Sequence, residues 1–173
     1  LENYILYDHS GGNTVKILAR NHQYLGVNEA VKAYAARKLN DGKLGVFWHT
    51  QGSGKSYSMV FLSQKIRRKF AGSPTIVVLT DREELNSQIS DTFENCGLLG
   101  TTKASKFIAS SGDDLIDKLK GNPSFIFTLI QKFNKKPEEP IIPDHDIIIM
   151  SDEAHRSQYG VFADNMVGLL PTA

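Results

Sequence analysis

The chain alternates between short apolar runs and longer segments in which apolar residues recur at helical spacing. Three runs of apolar and β-branched residues, at 75–80, 124–130 and 146–150, have the length and composition of strands. They lack the strict alternation of a half-exposed strand, so they are predicted to be buried on both faces. Residues 44–48 form a fourth apolar run, which predicts another buried strand.

Helices are predicted between these strands. In the segment after residue 54, Met59, Leu62, Ile66 and Phe70 recur every three to four residues. Asn28 is predicted to cap an earlier helix that carries Val31, Tyr34, Ala35 and Leu39 on one face. The remaining expected helices are 81–96, 113–120 and a last one with Phe162, Met166 and Leu170 inward, while 4–7, 14–18 and 102–108 are expected short strands.

Strands that alternate with helices predict a three-layer α/β fold with a mainly parallel sheet. The length of 173 residues suits one domain with a sizeable core, and no apolar run approaches membrane-spanning length. The net charge is only +1, so contacts with DNA would have to be local. Cys96 is the single cysteine and is expected to be a core thiol. Residue 1 is leucine and not an initiator methionine, and the last three residues do not resemble a natural C-terminus. We therefore expect the chain to be part of a longer protein.

Residues 52–56 read Gly-Ser-Gly-Lys-Ser and lie between a predicted strand and a predicted helix, the layout of a phosphate-binding loop. Its two glycines allow successive backbone N–H groups to point at a polyphosphate, and the helix start adds the positive end of its dipole. The Lys55 ammonium can reach the β- and γ-phosphates, and the Ser56 hydroxyl can ligate magnesium. His49 replaces the usual first glycine of the pattern, so an ordinary strand-to-helix turn is the alternative interpretation.

Asp152 and Glu153 follow the strand predicted at 146–150. Ligands of open α/β sheets bind at the carboxyl ends of strands, so Asp152 could hold magnesium and Glu153 could orient the attacking water. A solvated acidic helix start is the alternative, because carboxylates are favoured there. The loop at 52–56 favours the nucleotide interpretation, in which a triphosphate and its metal lie between Lys55 and this carboxyl pair.

Five motifs in this order resemble those of a known group of motor proteins. They read A-R-N-H-Q-Y-L-G-V-N-E-A-V, W-H-T-Q-G-S-G-K-S, T-D-R-E-E-L-N-S-Q, F-T-L-I-Q-K-F and D-E-A-H-R-S-Q-Y-G. The last motif resembles the Walker B box of superfamily 2 helicase-type motors. Together the motifs resemble the first motor domain of the restriction (R) subunit of type I restriction-modification enzymes. The resemblance implies a RecA-like lobe at 21–173, truncated at its C-terminus, after a lead-in at 1–20 from an upstream nuclease domain.

The resemblance also implies roles for the matching residues. Gln23, with Arg20 beside it, would read the adenine edge, and His155 would link the nucleotide site to later motor motifs. Lys55, Asp152 and Glu153 would be catalytic. The nucleotide-binding set is Arg20, Gln23, Thr50, Gln51, Gly52, Ser53, Gly54, Lys55, Ser56 and His155, the magnesium ligands are Ser56 and Asp152, and the DNA-binding set is Arg82, Gln88, Thr128, Gln131 and Lys132.

Simpler interpretations of several of these residues stay open. Gln23 could be a surface amide before a helix, and His155 a histidine with a local hydrogen bond at a helix start. Arg82 and Lys132 could be ordinary surface charges. The basic residues at 65–69 sit at a helix C-terminus, where cations are favoured without any partner.

For the parent protein, the resemblance implies ATP- and Mg²⁺-dependent translocation on double-stranded DNA, coupled to cleavage by a separate nuclease domain. The implied partners are the methyltransferase and specificity subunits, and the implied compartment is the bacterial cytoplasm. No nuclease carboxylate–lysine cluster is recognisable here, so this piece alone is not expected to cut DNA. A strand-separating helicase, a non-hydrolytic nucleotide-binding module and a phosphotransferase remain alternatives.

Overall fold

A computed structural model describes residues 2–48, 50, 52–134, 139–142, 144–152, 159–171 and 173. The chain folds into two compact units. The first comprises Leu1–Ala71 and Thr92–Gly100, and the second comprises Gly72–Asp91 and Thr101–Ala173. The predicted boundary between a lead-in at 1–20 and a motor domain at 21–173 stays a prediction.

The first unit combines a β-hairpin with two long helices. Strand β1 (Ile5–Asp8) pairs antiparallel with β2 (Val15–Leu18), as the sequence predicted. Helix α1 (Asn21–Ala35) starts shortly after β2, and α2 (Lys55–Lys69) follows the glycine loop. Buried apolar side chains from all these elements except β2 form the core: Leu6, Val27, Val31, Tyr34, Val60, Phe61 and Ile66.

The predicted strand at 44–48 is wrong. Residues 43–48 have no regular secondary structure, and the side chains of Val46 and Trp48 are 89% and 85% exposed. Gly45 has a φ of 108°, in the region that interrupts an extended strand, so the apolar run cannot keep one pleated geometry.

The predicted start of α1 at Asn28 is also wrong, because the helix begins at Asn21. Asn28 lies inside α1, and its Oδ1 accepts a hydrogen bond of 2.6 Å from the Tyr4 hydroxyl and another from the Lys65 ammonium. Val31 and Tyr34 are buried as predicted, whereas Leu39 lies in a 3₁₀ turn after the helix and is exposed. Asn28 was predicted to be a helix cap, but its side chain instead accepts hydrogen bonds from residues far away in the sequence.

The second unit is built on a parallel sheet of three strands in the order β4-β3-β5. The central strand, β3 (Thr75–Thr80), is buried at every position. It pairs with β4 (Phe125–Leu129) from Ile76 opposite Phe125, and with β5 (Ile147–Ser151) from Thr75 opposite Ile147. These three strands confirm the prediction of a parallel α/β sheet.

Helices α3 (Glu83–Asn95), α4 (Gly112–Lys120) and α5 (Tyr159–Leu169) match three predicted helices closely. The segment predicted as a strand at 102–108 instead contains a 3₁₀ turn at 104–106, and only Ile108 makes a bridge to Phe127. The core of this unit is one cluster of buried residues: Val77, Leu79, Ala109, Leu115, Leu119, Ile126, Ile130, Phe133, Ile147, Leu169 and Leu170.

Candidate functional site

The glycine loop leads directly into α2 with the backbone geometry that an anion site needs. Gly52 has a φ of 76° and Gly54 a φ of 84°, a region that side-chain-bearing residues rarely adopt. Lys55 is the first residue of α2, and the Ser58 N–H donates to the Gly54 carbonyl at 3.1 Å. The N–H groups of the first turn therefore point out of the start of the helix, where a phosphate would be favoured.

Two neighbouring side chains of α1 hold two successive carbonyls of this loop. Gln23 Nε2 donates to Gly54 O at 2.9 Å, and His22 Nε2 lies 3.2 Å from Ser53 O. Gln23 is only 4% exposed. A Cβ atom placed on Gly54 would meet Gln23 Nε2 at 3.0 Å, so glycine is what lets the amide approach this closely. The loop is therefore a constrained cradle, which fits a polyphosphate.

The residues predicted to read adenine lie at the start of α1. Arg20 is exposed and precedes the helix, and its backbone N–H donates to Gln23 Oε1 at 2.9 Å. The Gln23 amide thus makes one contact inside the protein through each end, and its role in reading adenine stays a prediction. Thr50 is exposed, while Gln51, Glu153 and His155 fall outside the described residues.

Asp152 lies at the carboxyl end of β5, in the second unit. Its backbone N–H donates to Leu79 O at 2.9 Å, which extends the ladder between β5 and β3 by one residue. The residue is buried, and a carboxylate oxygen is a ligand type that magnesium prefers. Its role as a magnesium ligand together with Ser56 stays a prediction.

The predicted DNA-binding residues follow the carboxyl ends of β3 and β4, except for Thr128. Gln131 Nε2 donates to Asp81 O at 2.9 Å, so the segments that follow these two strands touch. The Arg82 side chain is 57% exposed, with its Nε 3.8 Å from Asp81 Oδ2. Gln88 is exposed on α3.

Thr128 and Lys132 are the less accessible members of that set. Thr128 is fully buried within β4, opposite Leu79, so contact with DNA would require the strand to open. The Lys132 ammonium donates to the Ala109 carbonyl. The DNA-binding role of the whole set stays a prediction, and Arg82, Gln88 and Gln131 are its exposed members.

A partly buried hydrogen bond next to the loop was not foreseen from the sequence. The Tyr57 hydroxyl, one residue after Ser56, donates to Asp8 Oδ2 at 2.6 Å, and the Ser10 N–H donates to Asp8 Oδ1 at 2.8 Å. Burial raises the pKa of Asp8, but these hydrogen bonds outweigh it and leave the pKa below its ordinary value. The same bond, with burial, raises the pKa of Tyr57 to about 12.

Cys96 belongs to the same unit and is half-buried. Burial, helped by the negative charge of Asp8, raises the pKa of its thiol to about 12. The thiol is therefore protonated at neutral pH and is a poor nucleophile, although Cys96 is only half-buried and lies outside the buried core predicted for it.

The described residues hold neither a clustered metal site nor a transmembrane helix. They contain no group of three or more His, Cys, Asp or Glu side chains arranged to hold a metal ion. Among the helices that the structure describes, none combines the length and the apolar character of a transmembrane span.

Comparison with known families identifies the chain. A family model described as the SWI2/SNF2 ATPase matches residues 22–173. The chain belongs to the SWI2/SNF2 ATPase family. The match begins at His22, in the first turn of α1, and so includes the side chains that hold the loop, the loop itself and Asp152.

This SWI2/SNF2 ATPase chain is also similar to large restriction proteins. It is 43% identical, over 91% of its length, to the type I restriction enzyme HindI endonuclease subunit of Haemophilus influenzae. It is 36% identical, over its whole length, to the putative type I restriction enzyme MjaIXP endonuclease subunit of Methanocaldococcus jannaschii. The alignments cover only 16% and 17% of those two relatives. The resemblance indicated by the five motifs is thereby confirmed.

Proposed function

We propose that this SWI2/SNF2 ATPase chain binds ATP with magnesium at residues 52–56 and hydrolyses it to drive translocation along double-stranded DNA. One observation carries the proposal: a glycine cradle with positive φ at Gly52 and Gly54 opens directly into α2 at Lys55. The family description and the names of the relatives support the same reading.

Each residue has a separate task in the proposed reaction. The N–H groups at the start of α2 and the Lys55 ammonium bind the phosphate oxygens, while Ser56 and Asp152 hold the metal. Glu153 orients the attacking water and accepts its proton. ATP with its magnesium supplies the phosphoanhydride bond and a cation that offsets the phosphate charge. Gln23 and Arg20 select adenine.

The names of the relatives suggest the kind of complex in which the chain would act. Those proteins are named as endonuclease subunits of type I restriction enzymes, and this chain spans about one sixth of their length. We further propose that the motor acts in the cytoplasm, in a restriction complex with methyltransferase and specificity subunits. Arg82 and Gln88 would contact phosphate oxygens of the DNA, because a translocating motor must bind any sequence.

The experiment compares Lys55→Ala and Glu153→Gln in the natural full-length protein. Lys55→Ala should abolish ATP binding or turnover because it removes the phosphate-binding cation. Glu153→Gln should retain ATP binding and lose at least about a hundredfold in turnover, because the water-orienting base is gone. Equilibrium binding of a fluorescent ATP analogue and DNA-stimulated phosphate release measure the two effects.

The outcomes separate the alternatives. Retained DNA-stimulated hydrolysis in Lys55→Ala would refute the proposed role of the loop. Unchanged activity in Glu153→Gln would favour a non-hydrolytic nucleotide-binding module. Displacement of a triplex-forming oligonucleotide without separation of the duplex strands distinguishes a translocase from a strand-separating helicase.

A further inference from the structure

We propose that His22 is a positioning residue of the phosphate-binding loop, one that fixes the direction of the Gly54 N–H. The inference rests on the proposed function and adds to it a side chain that contacts the loop backbone. The distance of 3.2 Å between His22 Nε2 and Ser53 O is the observation that carries it.

The planarity of the peptide bond links this contact to phosphate binding. Ser53 C=O and Gly54 N–H belong to one trans peptide unit, so they point in opposite directions. Drawing Ser53 O toward α1 turns the Gly54 N–H away from α1. Gln23 does the same for the next unit, because its bond to Gly54 O sets the direction of the Lys55 N–H. Two neighbouring side chains thus orient two successive donors.

The loop needs such a contact because glycine does not hold its own conformation. Rotating the peptide unit between Ser53 and Gly54 changes mainly ψ of Ser53 and φ of Gly54, and glycine accepts either sign of φ. Gly54 has a φ of 84°, and a hydrogen bond to Ser53 O selects that state from the alternatives. His22 therefore reduces the entropy that the loop would lose when it closes around a phosphate.

The direction of the hydrogen bond defines what His22 must supply. A carbonyl oxygen can only accept, so His22 Nε2 must carry the proton. Both the neutral Nε2–H tautomer and the imidazolium satisfy this requirement. The role of His22 therefore rests on a donor at Nε2 and not on a charge.

The kinetic consequence is a change in KM more than in kcat. Loop donors that hold phosphates in the ground state and in the transition state contribute uniform binding. Losing one hydrogen bond at the loop should raise KM for ATP about tenfold and change kcat less than about twofold. The adenine preference should persist, since Gln23 is unaltered.

The test uses His22→Ala and His22→Gln in the natural full-length protein, with His9→Ala as the matched control. His9 lies in the hairpin turn, where its ring contacts Thr14 Oγ1 at 2.9 Å. Gln retains an Nε2–H donor, so His22→Gln should restore KM to within about threefold of the unmodified protein. Steady-state ATP hydrolysis at pH 6 and pH 8 gives KM and kcat, and competition by GTP gives base preference.

A second measurement works without nucleotide. Hydrogen–deuterium exchange of a peptide covering residues 52–60 reports on the Ser58 N–H, which bonds to Gly54 O. A loosened loop in His22→Ala should speed this exchange about fivefold, and His22→Gln and His9→Ala should not. The exchange measurement tests the role of His22 even if the unmodified protein does not bind ATP. Failure to bind ATP would refute only the proposed function.

Three results would overturn the inference. One is an unchanged KM and unchanged exchange in His22→Ala. Another is a fall in kcat with KM unaltered, which would indicate a role limited to the transition state. A third is failure of His22→Gln to restore either quantity, because the proposed role depends only on a donor at that position.

Discussion

At the scale of single residues, the surroundings of the loop depend on a few buried polar contacts. The Asp8 carboxylate receives hydrogen bonds from the Tyr57 hydroxyl and the Ser10 N–H. Tyr57 lies on the first turn of α2, so this contact joins the end of β1 to the helix that begins at Lys55. A buried carboxylate is stable only where such donors replace water.

We expect Asp8→Asn to destabilise the full-length chain in a pH-dependent manner. Because the folded-state pKa of Asp8 lies below its ordinary value of 3.8, the ionised carboxylate stabilises the folded state above that pH. The stabilisation is lost as the pH falls through the lowered pKa that Asp8 has in the folded state. The variant should be less stable by about 1–2 kcal/mol at pH 6, and the difference should narrow as the pH falls below 3.8.

Thermal unfolding between pH 3 and pH 7, followed by circular dichroism, measures this difference. Asp91→Asn is the control, since Asp91 is exposed on α3. A constant difference between Asp8→Asn and the unmodified chain over the whole range would contradict the assigned cause.

At the scale of secondary-structure elements, α4 shows how local chemistry sets a helix boundary. Ser111 Oγ accepts a hydrogen bond of 3.1 Å from the Asp114 N–H, which satisfies one donor of the first turn. Asp114 in turn contacts Lys118, one turn later, and receives the Ser110 N–H at 2.7 Å. The hydrogen bond from Lys118, followed by that from Ser110, lowers the pKa of Asp114 to about 2.

We expect Ser111→Ala to lower the free energy of unfolding by about 1 kcal/mol, because it removes the cap of α4. Ser111→Asp is the matched control, since its carboxylate can accept the same hydrogen bond and also favours a helix start. Chemical denaturation of both variants in the full-length chain measures the effect. Equal stability of the alanine and aspartate variants would show that the cap contributes nothing.

Two apolar runs show what can be predicted about elements from sequence and what cannot. The run at 75–80 forms the central strand β3, with a neighbour on each edge. Residues 44–48 have a similar apolar content but contain Gly45 with a positive φ, and they are largely exposed. Composition indicates that a segment can be a strand, whereas pairing depends on partners elsewhere in the chain.

For the candidate site, the sequence also predicted the local features and missed the contacts between distant residues. The loop at 52–56 and the start of α2 follow from a local motif, so their place was predictable. The contact between His22 and Ser53 joins residues 31 positions apart, and the one between Tyr57 and Asp8 joins residues 49 apart. No local pattern encodes such pairs, which is why neither was foreseen. Asn28 was misjudged for the same reason, since its partners include Lys65.

At the scale of the whole molecule, the near-neutral charge of the chain limits how it could attract the DNA proposed as its substrate. A net charge of +1 provides little long-range attraction, so binding must come from individual cations close to phosphates. Arg82 is the exposed cation that follows the central strand, whereas Lys132 already donates to a backbone carbonyl.

We expect Arg82→Gln in the full-length protein to weaken DNA binding to a similar extent for every sequence. It should also reduce the slope of log affinity against log salt concentration by about 1, since one phosphate contact is lost. Lys38→Gln is the control, because Lys38 is exposed in the first unit. Fluorescence anisotropy with two unrelated duplexes at several salt concentrations measures both effects, and an unaltered slope would count against this contact.

The strand order β4-β3-β5 has a consequence for how the protein is made. β3 ends at Thr80, but its neighbours begin only at Phe125 and Ile147. On the ribosome, an uncharged and β-branched segment emerges well before either strand that will cover its edges. Such a segment is prone to aggregation in a nascent chain. Translation products that stall between residues 80 and 125 would therefore depend on chaperones to stay in solution.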